Sequence, residues 1–521
     1  MVRWNSLVLF SAVLIGSATA SIVVAQDPVR SKVDDYLKRK GATVLQQLKT
    51  LVELPNVSRE QKDVRKNAQY LVKEFEKRGA KMELLEVTGA NPAIYGEIRT
   101  PNAKRTILIY IHYDGQPVDP ARWKSTRPFE PKLYSRAMEQ GGRPRDWPKN
   151  GEAIDEEWRV YGRSTSDDKA PLIALLNALD CLKESEVALT SNIKFFFDGE
   201  EEIGSPNMKK TLDAYAEKFR DVDLWLFCDG PLHQSRKPTV YFGVRGICGF
   251  ELTVYGATRN LHSGHYGNWA PNPGLRLSKL LASMKDAKGN VVVKGFHDSM
   301  TPLTEEEKKE LAAVPAIDDS LRRELGLKES DNENESYLAR MQIPSLNVKG
   351  IRCGTVGPTA RNIVPNTATA SLDIRLVKGN RPRAMIELIR KHMESQGYLV
   401  VDKEPSMKQR RENKKIVKLV TTFKGYPAAR TPMNHAQIRP VVRRLEECVG
   451  DEKLLKVPGL GGSLPLYLIS DYLEQPIMIV PMANHDNNQH SPDENLRVGN
   501  LFYGVRMMAA LLTADPLQKS N

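Results

Sequence analysis

Largely apolar segments of strand length alternate with helical segments through the first half of the chain, and this alternation limits the possible folds more than any other feature. Residues 106–111, 192–197 and 224–228 have the composition of strands that are buried on both faces. Residues 61–79 and 171–182 carry apolar side chains at helical spacing. Strands that alternate with helices form a mostly parallel sheet covered on both faces, so the pattern predicts an α/β fold.

The middle of the chain has a different pattern. Residues 249–255 and 369–376 alternate apolar with polar side chains, which is typical of antiparallel strands with one exposed face. Helices predicted at 273–285 and 382–396 could cover the other face, and a charged insertion lies at 294–343. The middle of the chain is therefore predicted to form an α+β domain.

The parallel-sheet pattern returns near the end of the chain, where a helix is predicted at 435–448 and a strand at 476–480. The simplest organisation is one α/β domain that is interrupted by the inserted α+β domain. We expect the first part of the α/β domain at 26–242, the inserted domain at 243–431 and the second part at 432–521.

The first residues have the layout of a secretory signal peptide, because Arg3 precedes an apolar stretch that ends in small residues. Cleavage could follow Ala20 or Ala25. An uncleaved membrane anchor is the alternative, but the apolar run is short for a span, which needs about 20 apolar residues. We therefore expect a signal peptide at 1–25 and a secreted or periplasmic protein with no membrane span after cleavage.

Charge and cysteine usage exclude two classes of protein. The net charge of +12 arises from 76 basic and 64 acidic residues, which are interspersed rather than gathered into basic blocks, so a nucleic-acid partner is not expected. The 5 cysteines are odd in number, widely spaced and without a CxxC motif, which argues against a disulfide framework and a cysteine-based zinc site.

Segments rich in carboxylates and histidine adjoin the predicted strands. They are residues 112–114, 162–169, 198–205, 228–230 and 489–494. Singly, each has an ordinary interpretation as a loop histidine, a solvated acidic surface or a turn. Together they meet at one edge of a parallel sheet, where two histidines and several carboxylates could hold two divalent ions and a shared water. Crowding so many acids without a cation would be strongly unfavourable.

The order and spacing of these segments resemble the M20 metallopeptidases, and within them the dipeptidase branch that includes the carnosinases. The resemblance runs from residues 51–58 almost to the C-terminus, and it implies a zinc-peptidase catalytic domain interrupted by a lid and dimerisation domain. It also implies two zinc ions, with Mn²⁺ or Co²⁺ as alternatives. The implied ligands are His112 and Asp229 for one ion, Glu202 and His490 for the other, and Asp167 as the bridge. Glu201 would be the general base, and Asp114 the acid that orients the first histidine.

Further residues match positions that contact the substrate in this family. His262 corresponds to a histidine that reaches a neighbouring active site across a homodimer and stabilises the oxyanion. Arg375 and Asn362 resemble substrate-contacting positions of the inserted domain. Gly462 and Ser463 precede a predicted apolar helix, whose N-terminus could hold the carboxylate of a short peptide.

A few residues depart from the family pattern or need separating from it. Ser164 and Ala170 stand where the family has glycine, beside the bridging Asp167 where the backbone conformation matters. Asp493 stands where the family often has asparagine. His485 lies five residues before His490 but lacks its His-Ser-x-x-Glu context, so only the latter is expected to be a ligand.

The resemblance implies a metallopeptidase that hydrolyses short peptides with metal-activated water, and the predicted signal peptide implies that it is exported. An N-acyl amino acid deacylase, or a related amidohydrolase of the same clan, is the alternative within the enzymes. An aminopeptidase of the M28 type has similar ligands but lacks the inserted domain that carries His262. An inactive peptide-binding protein of the cell envelope is disfavoured because every ligand and the base are present.

Overall fold

Two sheets organise the structure, a computed structural model that describes residues 27–332 and 334–514. The elements before residue 242 are α1 (Pro28–Val52), α2 (Gln61–Glu76), β1 (Lys81–Leu85), β2 (Ala93–Ile98), β3 (Thr106–His112), β4 (Lys132–Tyr134), β5 (Pro144–Arg145), β6 (Arg159–Tyr161), α3 (Lys169–Glu184), β7 (Asn192–Asp198), α4 (Met208–Ala214), β8 (Leu224–Phe227) and β9 (Thr239–Tyr241).

The middle of the chain supplies a second set of elements. They are β10 (Gly243–Val244), β11 (Gly246–Tyr255), β12 (Leu261–His262), α5 (Ser263–Tyr266), α6 (Pro273–Ala282), α7 (Glu305–Ala312), α8 (Asp318–Glu324), α9 (Tyr337–Met341), β13 (Ser345–Arg352), β14 (Ile363–Val364), β15 (Thr367–Leu376), α10 (Pro382–Ser395), β16 (Leu399–Val401), α11 (Met407–Glu412), β17 (Ile416–Tyr426) and β18 (Ala429–Arg430). The last part forms α12 (Arg439–Val449), β19 (Leu455–Val457), a π-helical turn (Leu468–Tyr472), β20 (Ile477–Ile479), β21 (Asn495–Arg497) and α13 (Val498–Leu512).

The larger sheet has the strand order β1-β2-β7-β3-β8-β20-β9-β19. Its four central strands, β7, β3, β8 and β20, are mutually parallel. Along β3 the side chains alternate between two cores, with Ile107 and Ile109 packed on one face and Leu108 and Tyr110 on the other. Burial on both faces explains why this strand is an unbroken apolar run, and the predicted mostly parallel α/β sheet is confirmed.

The second sheet has five strands in the order β13-β15-β11-β17-β16. Its central pair is antiparallel, and Phe250 of β11 lies opposite Leu372 of β15. One face packs against α6 and α10 around a separate apolar core, while Glu251 and Ser371 on the other face are partly exposed. This is the half-exposed sheet that the alternating pattern predicted.

The strands of the two sheets come from different parts of the chain. Every strand of the five-stranded sheet lies between residues 243 and 431, and every strand of the eight-stranded sheet lies outside that interval. The domain boundaries at 242/243 and 431/432 remain a prediction.

Two local predictions need correction or fall outside the structure. The residues after Ser463 do not begin an apolar α-helix; they lead into the short π-helical turn, so the predicted helix N-terminus for a carboxylate is absent. The predicted signal peptide at 1–25 lies outside the described residues. Within the described part of the chain, none of the helices is both long enough and apolar enough to cross a membrane.

Candidate metal centre

Neighbouring parallel strands end with residue types that bind metal ions. β3 ends at His112, which is paired in register with Asp198 at the end of β7. β8 ends two residues before Asp229, and the chain after β20 leads to His490. Because the carboxyl ends of parallel strands form one edge of the sheet, these residues meet there, as they do in other α/β proteins that bind ligands.

Among the described residues, two groups of three side chains could each hold a metal ion. In each group, one potential ligand atom per residue lies within 4.8 Å of the other two. The first group is His112, Asp168 and Asp229, and the second is Asp167, Glu202 and His490. The structure thus brings all five sequence-predicted ligands together, and it adds Asp168.

The carboxylate of Asp167 lies between the two histidines. Its Oδ1 is 2.8 Å from Nε2 of His112, and its Oδ2 is 3.0 Å from Nε2 of His490. Each oxygen therefore faces a different histidine, which is the arrangement that a bridging carboxylate requires. Asp168 is placed differently, because its Oδ2 accepts the backbone N–H of His112 at 3.3 Å. Its Oδ1 is buried without a hydrogen-bond partner in the described structure.

Asp114 connects the first histidine to the glutamate pair. Its Oδ1 lies 3.3 Å from Nδ1 of His112 and accepts the backbone N–H of Glu201 at 3.1 Å. Its Oδ2 accepts the backbone N–H of Glu202 at 3.1 Å and the hydroxyl of Ser58 at 2.6 Å. A buried acid that holds a histidine ligand by its second nitrogen fixes the orientation of the ring.

The acids at this site are held in an electrostatically unfavourable arrangement. Burial, reinforced by Asp167, raises the pKa of Glu202 to about 9. Burial is also the largest cause that raises the pKa of Asp229 to about 6 and that of Glu201 well above its usual value. Buried carboxylates this close together must retain protons unless cations balance their charge. The donor set of imidazoles and carboxylates therefore fits two divalent ions.

Glu494 fixes the loop that carries Asp167. Its side chain is fully buried and accepts the backbone N–H groups of Ser164, Ser166 and Asp167 at 3.0–3.1 Å. It also pairs with the guanidinium of Arg163 at 2.8 Å. One carboxylate thus satisfies three backbone donors of this loop and holds Asp167 in place.

The departure from glycine at Ser164 is accommodated by its neighbours. Ser164 has a φ of +63°, in the left-handed region that favours glycine. Its hydroxyl accepts a hydrogen bond from Asn56 Nδ2 at 3.1 Å, so the side chain is bound as well as tolerated. A Cβ at Gly115 would lie 2.4 Å from this hydroxyl, and the glycine there leaves room for it. Ala170, the other departure, is buried in the first turn of α3.

A cavity of about 630 Å³ opens beside the metal-binding groups. Asp167, Glu201, Asp229 and His490 line it on one side. Arg375 reaches it from β15, and its Nη1 donates to Oγ of Ser463 at 2.7 Å. Gly462 lines the cavity beside that serine. Three of the four predicted substrate-binding residues therefore lie in the wall of this cavity.

His262 and Asn362 lie elsewhere, on the small ribbon formed by β12 and β14. His262 is exposed, and its Nδ1 accepts the backbone N–H of Gly264 at 3.1 Å. The backbone carbonyl of Asn362 accepts the N–H of Ser263 at 3.0 Å. Neither residue is in the cavity wall of its own chain. His262 and Asn362 therefore lie near each other, but neither lies beside the described metal-binding groups.

Three functional positions were not assigned from the sequence. From the sequence, Asp168 is included only within the segment 162–169, and Glu494 is included only in the His-Ser-x-x-Glu context of His490. His485 lies in the cavity wall but in neither metal-binding group. The adjacency of Asp167 and Asp168 could have indicated that Asp168 is a second candidate ligand. Adjacency alone does not reveal which carboxylate faces which histidine.

Comparison with known proteins agrees with this arrangement. The profile of peptidase family M20/M25/M40 matches residues 108–514, which is more than half of the chain. The chain belongs to the M20 peptidase family. It is therefore a metal-binding peptidase, as the sequence predicted.

Three similar proteins are themselves M20 peptidases or dipeptidases. The Cys-Gly metallodipeptidase dug1 of Schizosaccharomyces pombe is 24% identical over 91% of this M20 chain and 96% of its own. The human Beta-Ala-His dipeptidase is 24% identical over 80% of this chain and 76% of its own. The crystal structure of the M20 family metallo-carboxypeptidase Sso-CP2 from Sulfolobus solfataricus covers 91% of this chain and 99% of its own, with 28% identity and a TM-score of 0.71.

The same comparisons correct one prediction about this M20 peptidase. The dug1 enzyme, which matches almost the whole chain, is cytosolic. The prediction of a secreted or periplasmic protein is therefore wrong. It depended on an apolar N-terminal stretch, which the structure does not describe.

Proposed function

We propose that the chain hydrolyses dipeptides and other very short peptides with two divalent metal ions, which are zinc or, as alternatives, Mn²⁺ or Co²⁺. The observation that carries this proposal is the position of Asp167 between His112 and His490, at 2.8 and 3.0 Å, with Glu201 facing the same cavity. In this arrangement His112 and Asp229 would hold one ion, Glu202 and His490 the other, and Asp167 would contribute to both. Asp168 is a further candidate ligand beside the first ion.

The metal ions, when bound, would supply Lewis acidity to the scissile carbonyl and to the attacking water. Glu201 is the general base. Its Oε2 lies 3.8 Å from Nε2 of His112, close to the metal-binding groups but outside both of them. The carboxylate accepts a proton from the water that attacks the carbonyl carbon, and it then donates this proton to the leaving amine nitrogen.

Arg375 and Ser463 bind the free C-terminal carboxylate of the substrate. The two side chains meet at the cavity wall through a hydrogen bond of 2.7 Å. An arginine can bind a carboxylate through two parallel hydrogen bonds, and it would exchange its serine partner for the substrate. The names of the relatives support this direction, since two are dipeptidases and one is a metallo-carboxypeptidase. An anchor for the C-terminus in the same cavity as the metal-binding groups restricts the enzyme to very short peptides.

The inserted domain at 243–431 acts as a lid and as the contact between two subunits of a homodimer. His262 and Asn362 are exposed in the single chain and lie outside its own cavity. Both would enter the active site of the partner subunit, where His262 donates a hydrogen bond to the oxygen of the tetrahedral intermediate. The catalytic domain comprises the remaining parts, 26–242 and 432–521.

The test is hydrolysis by the purified protein loaded with zinc, manganese or cobalt. The substrates are a panel of dipeptides, the same dipeptides as C-terminal amides, and N-acyl amino acids. We expect rapid cleavage of free dipeptides, slow cleavage of the amides and little deacylation. Efficient cleavage of N-acyl amino acids in preference to dipeptides would instead identify a deacylase of the same clan. No cleavage of any substrate with any metal would contradict the proposed function.

A further inference from the structure

One wall of the cavity is polar and is not used by the proposed reaction. His233, Gln234, His485 and Gln489 line this part of the cavity. None of them belongs to the two metal-binding groups or to the proposed carboxylate anchor. His233 and Gln234 each have a buried side-chain atom without a hydrogen-bond partner in the described structure, which the reaction does not explain.

The pairing of two strand extensions places the two histidines side by side. Beyond β8 and β20, Pro231 forms a parallel bridge with Ala483, and Leu232 donates its N–H to the carbonyl of Ala483 at 2.9 Å. Two residues further along this register, His233 stands beside His485. Burial, followed by the nearby His485, lowers the pKa of His233 below its usual value, so its ring is neutral at neutral pH.

The hydrogen bonds of His233 define which of its nitrogens is a donor. Its Nδ1 accepts the backbone N–H of Ser235 at 3.2 Å and lies 2.8 Å from the hydroxyl of the same residue. A neutral imidazole whose Nδ1 is an acceptor carries its proton on Nε2. That atom is buried and has no hydrogen-bond partner in the described structure, and the residue is only 4% exposed.

Gln234 has an unpartnered acceptor rather than a donor. Its Oε1 is also buried without a partner among the described residues. An unsatisfied buried donor or acceptor is destabilising, and native proteins retain few of them. The donor on His233 and the acceptor on Gln234 both lie beside the same cavity. A bound group with one acceptor and one donor would satisfy both of them.

We infer that His233 and Gln234, with His485 beside them, form a subsite for an uncharged side chain that carries both a hydrogen-bond acceptor and a donor. The carboxamide of asparagine or glutamine has this chemistry. A carboxylate offers no donor to the glutamine, and an ammonium group offers no acceptor to the histidine. The inference rests on the proposed function and deepens it.

The position of this subsite assigns it to the N-terminal residue of the substrate. His233 follows four residues after Asp229, on the segment that leads away from the metal centre. The C-terminal residue is assigned to Arg375 and Ser463, on the wall that β15 and the loop after β19 provide. The substrates preferred by this enzyme are therefore dipeptides that begin with glutamine or asparagine.

The first test uses the wild-type enzyme with Gln-Ala, Met-Ala, Glu-Ala and Lys-Ala. Methionine has nearly the length of glutamine but no comparable polar group. We expect kcat/KM for Gln-Ala to exceed that for Met-Ala by about tenfold or more, because a site that is built to hydrogen-bond rejects an analogue without the polar group. Equal or better cleavage of Met-Ala would overturn the subsite and leave the dipeptidase function intact. If no dipeptide is cleaved with any metal, both proposals fail.

The second test changes the donor itself. The amide of asparagine reaches the position of Nδ1 but not that of Nε2, so His233→Asn should reduce the Gln-Ala to Met-Ala ratio to within about threefold of one. The longer His233→Gln can restore a donor near Nε2 and should retain most of the ratio. His392→Asn is the control, because His392 lies in the inserted domain beside Ser283 and outside the cavity. An unchanged ratio in His233→Asn would overturn the inference, and if that variant does not fold, the wild-type panel decides alone.

Discussion

Glu201 and Glu202 are adjacent in the chain but occupy different positions at the metal centre. Oε2 of Glu202 lies 3.2 Å from Nε2 of His490, and the Nε2 amide of Gln116 donates to it at 2.7 Å. Glu201 faces the cavity beside the other histidine and belongs to neither metal-binding group. Two neighbouring glutamates can therefore have separate roles, one as a ligand and one as a base.

Replacing the proposed base should separate catalysis from metal binding. Glu201→Gln is expected to retain both metal ions and to lose about 10²–10⁴-fold in kcat, which is typical when an acid–base group is removed. The matched control is Glu202→Gln, which should lose metal as well as activity. Metal content by mass spectrometry and single-substrate kinetics measure the two effects. A metal-deficient Glu201→Gln protein would show that the two glutamates have been assigned the wrong way round.

Arg375 provides the residue-scale test of substrate length. Wild type should prefer a free dipeptide over its C-terminal amide. In Arg375→Ala the ratio of kcat/KM for the acid to that for the amide should fall about tenfold or more, because hydrogen bonds to a charged group contribute about 1.5–3 kcal/mol. Arg381→Ala is the control, since that exposed arginine pairs with Asp471 outside the cavity. The kcat/KM ratio of acid to amide is the measurement. A wild-type enzyme that cleaves both equally has no carboxylate anchor.

At the scale of elements, the loop before α3 positions Asp167, the proposed bridging ligand. This loop carries Asp167, and Glu494 from the end of the chain accepts three of its backbone N–H groups. The neighbouring Asp493 accepts instead from Lys124 and Ser125, which belong to a different loop. Asp493 and Glu494 thus support different segments, and of these two only Glu494 binds the loop that carries Asp167.

Replacing Glu494 should therefore weaken metal binding without removing a ligand. Glu494→Gln loses the ion pair with Arg163, and its amide group can accept fewer of the loop donors. We expect metal affinity to fall about 10–100-fold, as it does when groups that orient ligands are changed. Asp493→Asn is the matched control and should bind metal normally. Competition with a chelator measures both, and equal affinities in the two variants would contradict the role of Glu494.

At the scale of the whole molecule, the two sheets contribute unequally to the site in one chain. Parts of the chain outside residues 243–431 supply the metal-binding groups, and the five-stranded sheet supplies Arg375 to the same cavity. The ribbon that carries His262 projects elsewhere and is exposed. In the proposed function, the ribbon of a second subunit completes the active site of a homodimer.

Subunit mixing tests this requirement. His262→Ala should lower kcat by on the order of 10²–10³-fold, as expected for the loss of an oxyanion donor, with metal content unchanged. Mixing it with inactive Glu201→Gln subunits should restore part of the activity, because one of the two sites in a mixed dimer contains both intact residues. Absence of recovery, in dimers shown by mass spectrometry to have exchanged subunits, would refute a role across the interface.

Much of the fold and of the metal centre could be predicted because the relevant signals are local. An apolar run such as β3 identifies a strand buried on both faces, and an alternating run such as β15 identifies a half-exposed one. His112 and Asp229 directly follow the predicted strands 106–111 and 224–228, so a parallel sheet brings them to one edge without further information. Sequence patterns therefore predicted the α/β architecture, the inserted sheet and a metal site at the sheet edge, because strand periodicity depends on neighbouring residues; the peptidase chemistry was implied by the family resemblance.

The remaining features depend on contacts between distant parts of the chain, which only the tertiary structure decided. The register of Pro231 with Ala483 places His233 beside His485, although about 250 residues separate these histidines. Loop packing turns the carboxylate of Asp167 toward His112 and His490, whereas the carboxylate of Asp168 accepts a backbone N–H. Local composition does not contain this information, because the direction of a side chain at a sheet edge is determined by the elements that pack around it.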